Sequence, residues 1–108
     1  MQYDLTDLRL FAAIAEETSL TRGAARAHLA ASSASHRLAK LEESLGVALF
    51  ERHARGLRPT RAGESLLGHA RQVFAQLEQM HADLSPFARG VRAQVSLYAN
   101  TNAINCFL

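Results

Sequence analysis

The side chains able to do chemistry in this 108-residue chain are mostly cations of one kind: 11 Arg against a single Lys, Lys40. The planar guanidinium fork of arginine matches phosphate and base edges through paired hydrogen bonds. These cations are unevenly placed. Between Thr18 and Arg61 stand Arg22, Arg26, Arg37, Lys40, Arg52, Arg55, Arg58 and Arg61, opposed only by Glu42, Glu43 and Glu51. That segment carries a net +5, the remainder −3, and the whole chain +2. A local basic patch is the electrostatic footprint of a nucleic-acid surface.

Other chemistries are poorly served. Ser35 precedes His36, but neighbouring helical residues point about 100° apart and no third group orients them, so they do not read as a nucleophile and its base. No catalytic residues are expected, and the chain does not read as an enzyme. His28, His69 and His81 lack metal-ligand company, and His69 and His81 stand too far apart on one helix to chelate together. No metal and no cofactor are expected. The lone Cys106 excludes an intramolecular disulfide framework and a zinc ribbon, and reads as a small buried side chain.

Composition sets the frame for these residues. An apolar fraction of 48% with 20% charge belongs to a folded chain rather than a disordered one. No run of about 18 apolar residues offers a membrane span. The start, MQYDLTDLRL, has neither the basic flank nor the apolar stretch of a signal peptide. A cytoplasmic protein is the expectation.

The elements that must position the cations are mostly helices. Over Thr6–Glu17, Leu8, Phe11, Ala12 and Ala15 repeat at helical spacing, with Thr6 or Asp4 as the cap. Ser19 could cap a short second helix, Leu20 to His28, whose paired Ala24 and Ala25 leave room for a close neighbour. A third helix, Ser32 to Leu45, places Ala34, Leu38, Leu41 and Leu45 on one face and ends at Gly46. Leu49–Arg52 and Leu57–Pro59 then read as two short strands, with Gly56 available for positive φ at their turn. Such a hairpin is marginal alone and must lean on the helices.

Thr60 reads as the cap of a long helix, Arg61 to Leu84. Leu66, Ala70, Val73, Leu77, Met80 and Leu84 step by 4, 3, 4, 3, 4, a heptad seam of nearly three repeats. Leu67 and Phe74 widen it. Gly63 weakens the first turn in propensity. Ser85-Pro86 is expected to end the helix, since the residue before proline avoids the α region. Gly90 offers a hinge, and Val95, Leu97 and Ala99 alternate as in a strand.

Two helices joined by a short turn, the second starting with small polar residues, followed by an arginine-rich hairpin, make a winged helix-turn-helix. The fold class is therefore mainly α, with a long C-terminal linker or dimerisation helix. The expected organisation is a DNA-binding domain over 1–60 and a linker helix over 61–89.

The stretches LRLFAAIAEETSLTRGAARAHL and SASHRLAKLEESLGVALFERHARGLRPTRAGESLL resemble the N-terminal domain of LysR-type transcriptional regulators over roughly residues 3–90. The most specific blocks are Leu41–Arg52 and Arg58–Glu64. The resemblance implies a sequence-specific regulator that binds double-stranded DNA as a homodimer, with a tetramer as a further assembly in the full-length protein. It also implies a small-molecule effector held by a C-terminal domain, of which 90–108 would be the truncated start. By resemblance the recognition helix presents Ala31, Ser32, Ser33, Ser35 and His36. Arg22 falls at a phosphate-contacting position, and Arg52, His53 and Arg55, with Arg58 beside them, fall on the wing.

Two positions depart from the family pattern. Ala30 stands where Ser or Thr is usual, and Ala31 where Gln or Pro is common. Base readout then rests on three hydroxyls, the His36 imidazole and a methyl contact from Ala31, which shifts weight to DNA shape and wing contacts. Ser32 reads as a helix cap with incidental phosphate contact, and Arg37 and Lys40 as a solvated face. Arg52 divides evenly between an internal salt bridge and DNA. A helix of about 24 residues outruns so small a domain, so the seam is expected to face a partner subunit. The rival reading is a module that dimerises without binding DNA, for which Ala30 and Ala31 are the support.

Overall fold

A computed structural model describes residues 2–95. Its elements are α1 (Leu5–Glu17), α2 (Leu20–Arg26), α3 (Ala31–Leu45), β1 (Phe50–His53), β2 (Gly56–Pro59) and α4 (Arg61–Val95). They divide into two units, residues 1–73 and the chain from Phe74 onward. The described part of the second unit is the remainder of α4.

In the first unit, Asp4 rather than Thr6 caps α1. Its side chain accepts from the Asp7 amide at 3.0 Å, and the Asp7 carboxylate returns the bond to the Asp4 amide at 3.1 Å. This reciprocal box satisfies two helix-end donors. Six consecutive residues of α1, Leu10 to Ala15, are buried. A helix buried on one face would alternate, so α1 is the central post of the unit. One side, Leu10 and Ile14, packs with Ala24 of α2 and Ala34 of α3. The other, Phe11, packs with Leu41 of α3 and Leu49, joined by Leu66 and Leu67 of α4. Leu38 and Phe50 border both clusters. The Phe11 and Phe50 rings lie 5.3 Å apart at 41°, a favoured tilted pairing. Each large side chain so buried contributes roughly 1.5–3 kcal/mol.

Gly23 and Gly56, like Gly63 further on, meet requirements no other residue would. A Cβ on Gly23 would sit 2.6 Å from Ile14 Cα, so α2 crosses α1 backbone to backbone. Gly56 takes φ 129°, and its open side faces the Thr18 carbonyl. The hairpin is antiparallel, pairing Phe50 with Pro59, Glu51 with Arg58, Arg52 with Leu57 and His53 with Gly56. Ala54 and Arg55 span the turn, and the positive φ falls on Gly56 after it. The hairpin leans on the helices through a hydrogen bond from the Leu57 amide to the Thr18 carbonyl, 3.1 Å.

Several boundaries differ from expectation. α2 stops at Arg26, and His28, at φ 60°, already belongs to the turn. Thr60 caps α4 as expected, its Oγ1 accepting from the Gly63 amide at 3.0 Å. Gly63 is buried against the Leu49 carbonyl, so its propensity cost is offset by a close approach. Ser85-Pro86 does not end α4, which carries Pro86 inside it and runs on to Val95. Proline removes one amide donor, and the other bonds of a 35-residue helix hold across that gap. Gly90 therefore lies within the helix. Val95 is its last residue, and Leu97, Ala99 and Cys106 lie outside the described residues.

Candidate nucleic-acid interface

The helix that the sequence suggests as the reading helix is α3, and its first turn is chemically open. Ala30 is the N-cap and offers no side-chain bond, and no acidic residue stands in the first turn. Ser32 is thus not the cap: it lies inside the helix, one residue past Ala31. Amide donors at a helix start, with the positive end of the helix dipole, favour an anion. Ala31, Ser32, Ser33, Ser35 and His36 are all exposed, while Ala34 between them is fully buried and anchors the turn. The connection from α2 is tightened by the His28 amide bonding Ala25 and the Leu29 amide bonding Ala24, at 3.0 and 2.9 Å.

Arg22 is exposed at the start of α2, and it is not idle. Its Nη2 donates to the Glu17 carbonyl at 2.9 Å, and its Nε lies 3.5 Å from the Glu17 carboxylate. Arg26 spans Glu16 and Glu17 at 3.0 and 3.4 Å, and Arg71 of α4 reaches Glu16 at 3.3 Å. Three guanidiniums thus share two carboxylates, which leaves a surplus of positive charge. Carboxylates at the C-terminal end of α1 oppose its dipole, and these cations compensate.

On the hairpin, Arg52, His53, Arg55 and Arg58 are exposed. Arg58 faces Glu51 across the strands at 3.5 Å. His53 Nδ1 accepts from the Arg55 amide at 3.4 Å, closing the turn. Among the described residues neither Arg52 nor Arg55 has a carboxylate partner, so the internal salt bridge considered for Arg52 does not form.

The grouping of Arg37 with the solvated face is overturned. Its Nη1 donates to Asp7 at 2.8 Å and lies 3.7 Å from Asp4. The Asp7 bond, followed by the two carboxylate charges, holds the Arg37 guanidinium above its ordinary pKa. Asp4 is held below the usual aspartate range, chiefly by the Asp7 amide and then by the Arg37 charge. This bond links residues thirty apart in sequence, and no local pattern announces it. Gln2, Asp4, Asp7, Ser33, His36, Arg37 and Lys40 line a cleft of about 360 Å³ there.

The seam residues of α4 separate into two groups. Leu66 packs against the Phe11 cluster, and Ala70 is 1% exposed within its own protomer. Ala70 is therefore corrected from a partner-facing to an internal position, because the first turns of α4 cover the core of the domain. Val73, Met80 and Leu84 are 38, 45 and 52% exposed, Leu77 is half-buried, and Phe87 is 71% exposed. Among the described residues no group of three His, Cys, Asp or Glu could hold a metal ion, and no helix is long and apolar enough to cross a membrane.

Residues 5–64 match the bacterial regulatory helix-turn-helix protein, lysR family. The chain is 40% identical over 93 residues to the HTH-type transcriptional regulator GbpR of Azospirillum brasilense, covering 86% of this chain and 27% of that protein. It is 35% identical over 97 residues to the HTH-type transcriptional activator AllS of Klebsiella pneumoniae, covering 90% and 36%. The chain thus spans between a quarter and two-fifths of the length of these relatives. Among solved structures, BenM_DBD in a benA site 1 DNA complex superposes with a TM-score of 0.75 at 32% identity, covering 81% of this chain and 98% of that one. CbnR_DBD in its DNA complex gives 0.68 at 32%, covering 80% and 98%. The family match over residues 5–64 covers more than half of the chain, and the chain belongs to the LysR family of bacterial regulatory helix-turn-helix proteins.

Proposed function

We propose that the chain binds double-stranded DNA as the reading part of a cytoplasmic transcriptional regulator, without enzymatic activity. The first turns of α3 enter the major groove, and the hairpin arginines meet the backbone or a narrow minor groove. The observation that carries this reading is the joint exposure of the α3 start and of Arg52 and Arg55, none of them engaged by an internal carboxylate. Direct base contact rests on Ser33, Ser35 and His36, and Arg22 adds a backbone contact. Residues 1–60 are the DNA-binding domain and α4, Arg61–Val95, is the linker helix, which leads toward a C-terminal domain that takes a small-molecule effector.

Two copies pair through the exposed part of the α4 seam, Val73 to Leu84, so that two recognition helices address successive major grooves. In the full-length protein, dimers pair further into tetramers. Leu77→Asp should yield monomers in sedimentation; an unchanged dimer removes the seam from the account.

The functional test is the salt dependence of duplex binding. Each neutralised phosphate should contribute about −0.9 to the slope of log affinity against log salt. A flat response refutes the reading, and no binding even at low salt leaves a module that dimerises without binding DNA.

A further inference from the structure

The geometry points to a second phosphate seat on the recognition helix, built on Lys40 at the rim of the cleft it shares with Ser33 and His36. This assignment rests on the reading of α3 as the DNA-reading helix. Ser33, His36 and Lys40 follow one another at i, i+3 and i+7, so they form a single exposed stripe along α3. Lys40 therefore stands two turns, about 10.5 Å, behind Ser33 along the axis. A helix that reads bases with its first turns in a groove about 12 Å wide brings residues two turns back to the sugar–phosphate wall.

Charge selects Lys40 rather than its neighbour. Arg37 is also on this side of α3, but its guanidinium is committed to Asp7 at 2.8 Å, and Asp4 stands 3.7 Å away. The two carboxylates of the cleft are in turn engaged by Arg37 and by the amides at the start of α1. Lys40 is exposed and, among the described residues, has no carboxylate within ion-pair distance, Glu43 included. It is the cleft's uncommitted cation. Its ligand is a backbone phosphodiester of duplex DNA. Arg37 acts as a positioning residue that pins the stripe against α1.

The test is a salt titration of the full chain on a fluorescent random-sequence duplex, comparing wild type, Lys40→Ala and Lys40→Arg. Lys40→Ala should flatten the log–log slope by about 0.9 per protomer, which is about eight-fold in affinity at 0.1 M salt for each protomer engaged. Lys40→Arg should restore the wild-type slope, and neither change should move Tm. A Lys40→Ala titration that superimposes on a steep wild-type curve overturns the seat while leaving DNA binding intact. So does an equal flattening in both variants. A wild-type chain that binds no duplex at any salt overturns the functional reading and this assignment together.

Discussion

The helical body and the hairpin carry the same cation in opposite states. Arg22, Arg26, Arg37 and Arg71, on α2, α3 and α4, each lie within 3.5 Å of a carboxylate. At the hairpin, Arg52 and Arg55 face no carboxylate among the described residues, and Arg58 has only Glu51 across the strand. In the body, arginine fastens helix to helix: α1 to α2 and α4 through Glu16 and Glu17, and α1 to α3 through Asp7. On the hairpin, Arg52 and Arg55 take no part in such fastening. A count of basic residues therefore overstates the charge on offer, and among the described residues the exposed cations without a carboxylate partner include Arg52 and Arg55 of the hairpin, Arg61 and Lys40.

The largest expected effect follows directly. If Arg52 and Arg55 are the available charge, replacing both with Ala should flatten the salt slope by about 1.8 per protomer, roughly sixty-fold in affinity at 0.1 M salt. Fluorescence anisotropy across a salt series checks this, and an equal loss from Arg26→Ala would erase the contrast. Next comes the scaffold of the hairpin. Gly56→Ala puts a side chain at φ 129° against the Thr18 carbonyl. Urea unfolding should show a loss of about 2–3 kcal/mol with little change in helical circular dichroism, and DNA affinity should fall with it.

Smaller effects probe the body. Asp7→Asn should lower Tm by a few degrees, limited by the solvent that reaches Arg37, without flattening the DNA salt slope. A flattened slope would mean that Arg37 serves DNA as well as the fold. The smallest effect is a pH dependence. The Asp4 carboxyl is held below its ordinary value in the folded state, so its contribution is present above the unfolded value and fades as pH falls through the folded one. Stability should decline below about pH 4, and Asp4→Asn should blunt that decline in an acid melting series.

Much of the architecture was legible because it rests on local rules. The face of α3 formed by Ala34, Leu38, Leu41 and Leu45 is the inner face, and Ser19 and Thr60 cap as their types require. The two strands of the hairpin follow from sequence for the same reason, whereas the residues at the start of α3 came through the family resemblance. Tertiary context decided the rest. The stripe of Leu8, Phe11, Ala12 and Ala15 misses Leu10 and Ile14, because a helix buried on several faces has no single period to detect. The heptad spacing of α4 continues unchanged from Leu66 to Leu84, so spacing does not say that Ala70 is consumed inside the protomer. Proline at 86 argues locally for a stop, and a long helix outvotes it. The Arg37–Asp7 bond spans thirty residues, and only folding brings its two ends together.

One residue at the end of α1 ties the hairpin to the helices. Thr18 closes α1 in a left-handed conformation, φ 53°, and its carbonyl receives the Leu57 amide. That amide can exchange with solvent only when the hairpin lifts from the post on which it rests. Its protection against deuterium therefore measures a local opening free energy for the arginine-bearing strands, separate from global unfolding. A fast-exchanging Leu57 beside slow-exchanging α1 amides would describe a hairpin that samples lifted orientations before it meets a duplex. Matched protection would describe one that arrives already set.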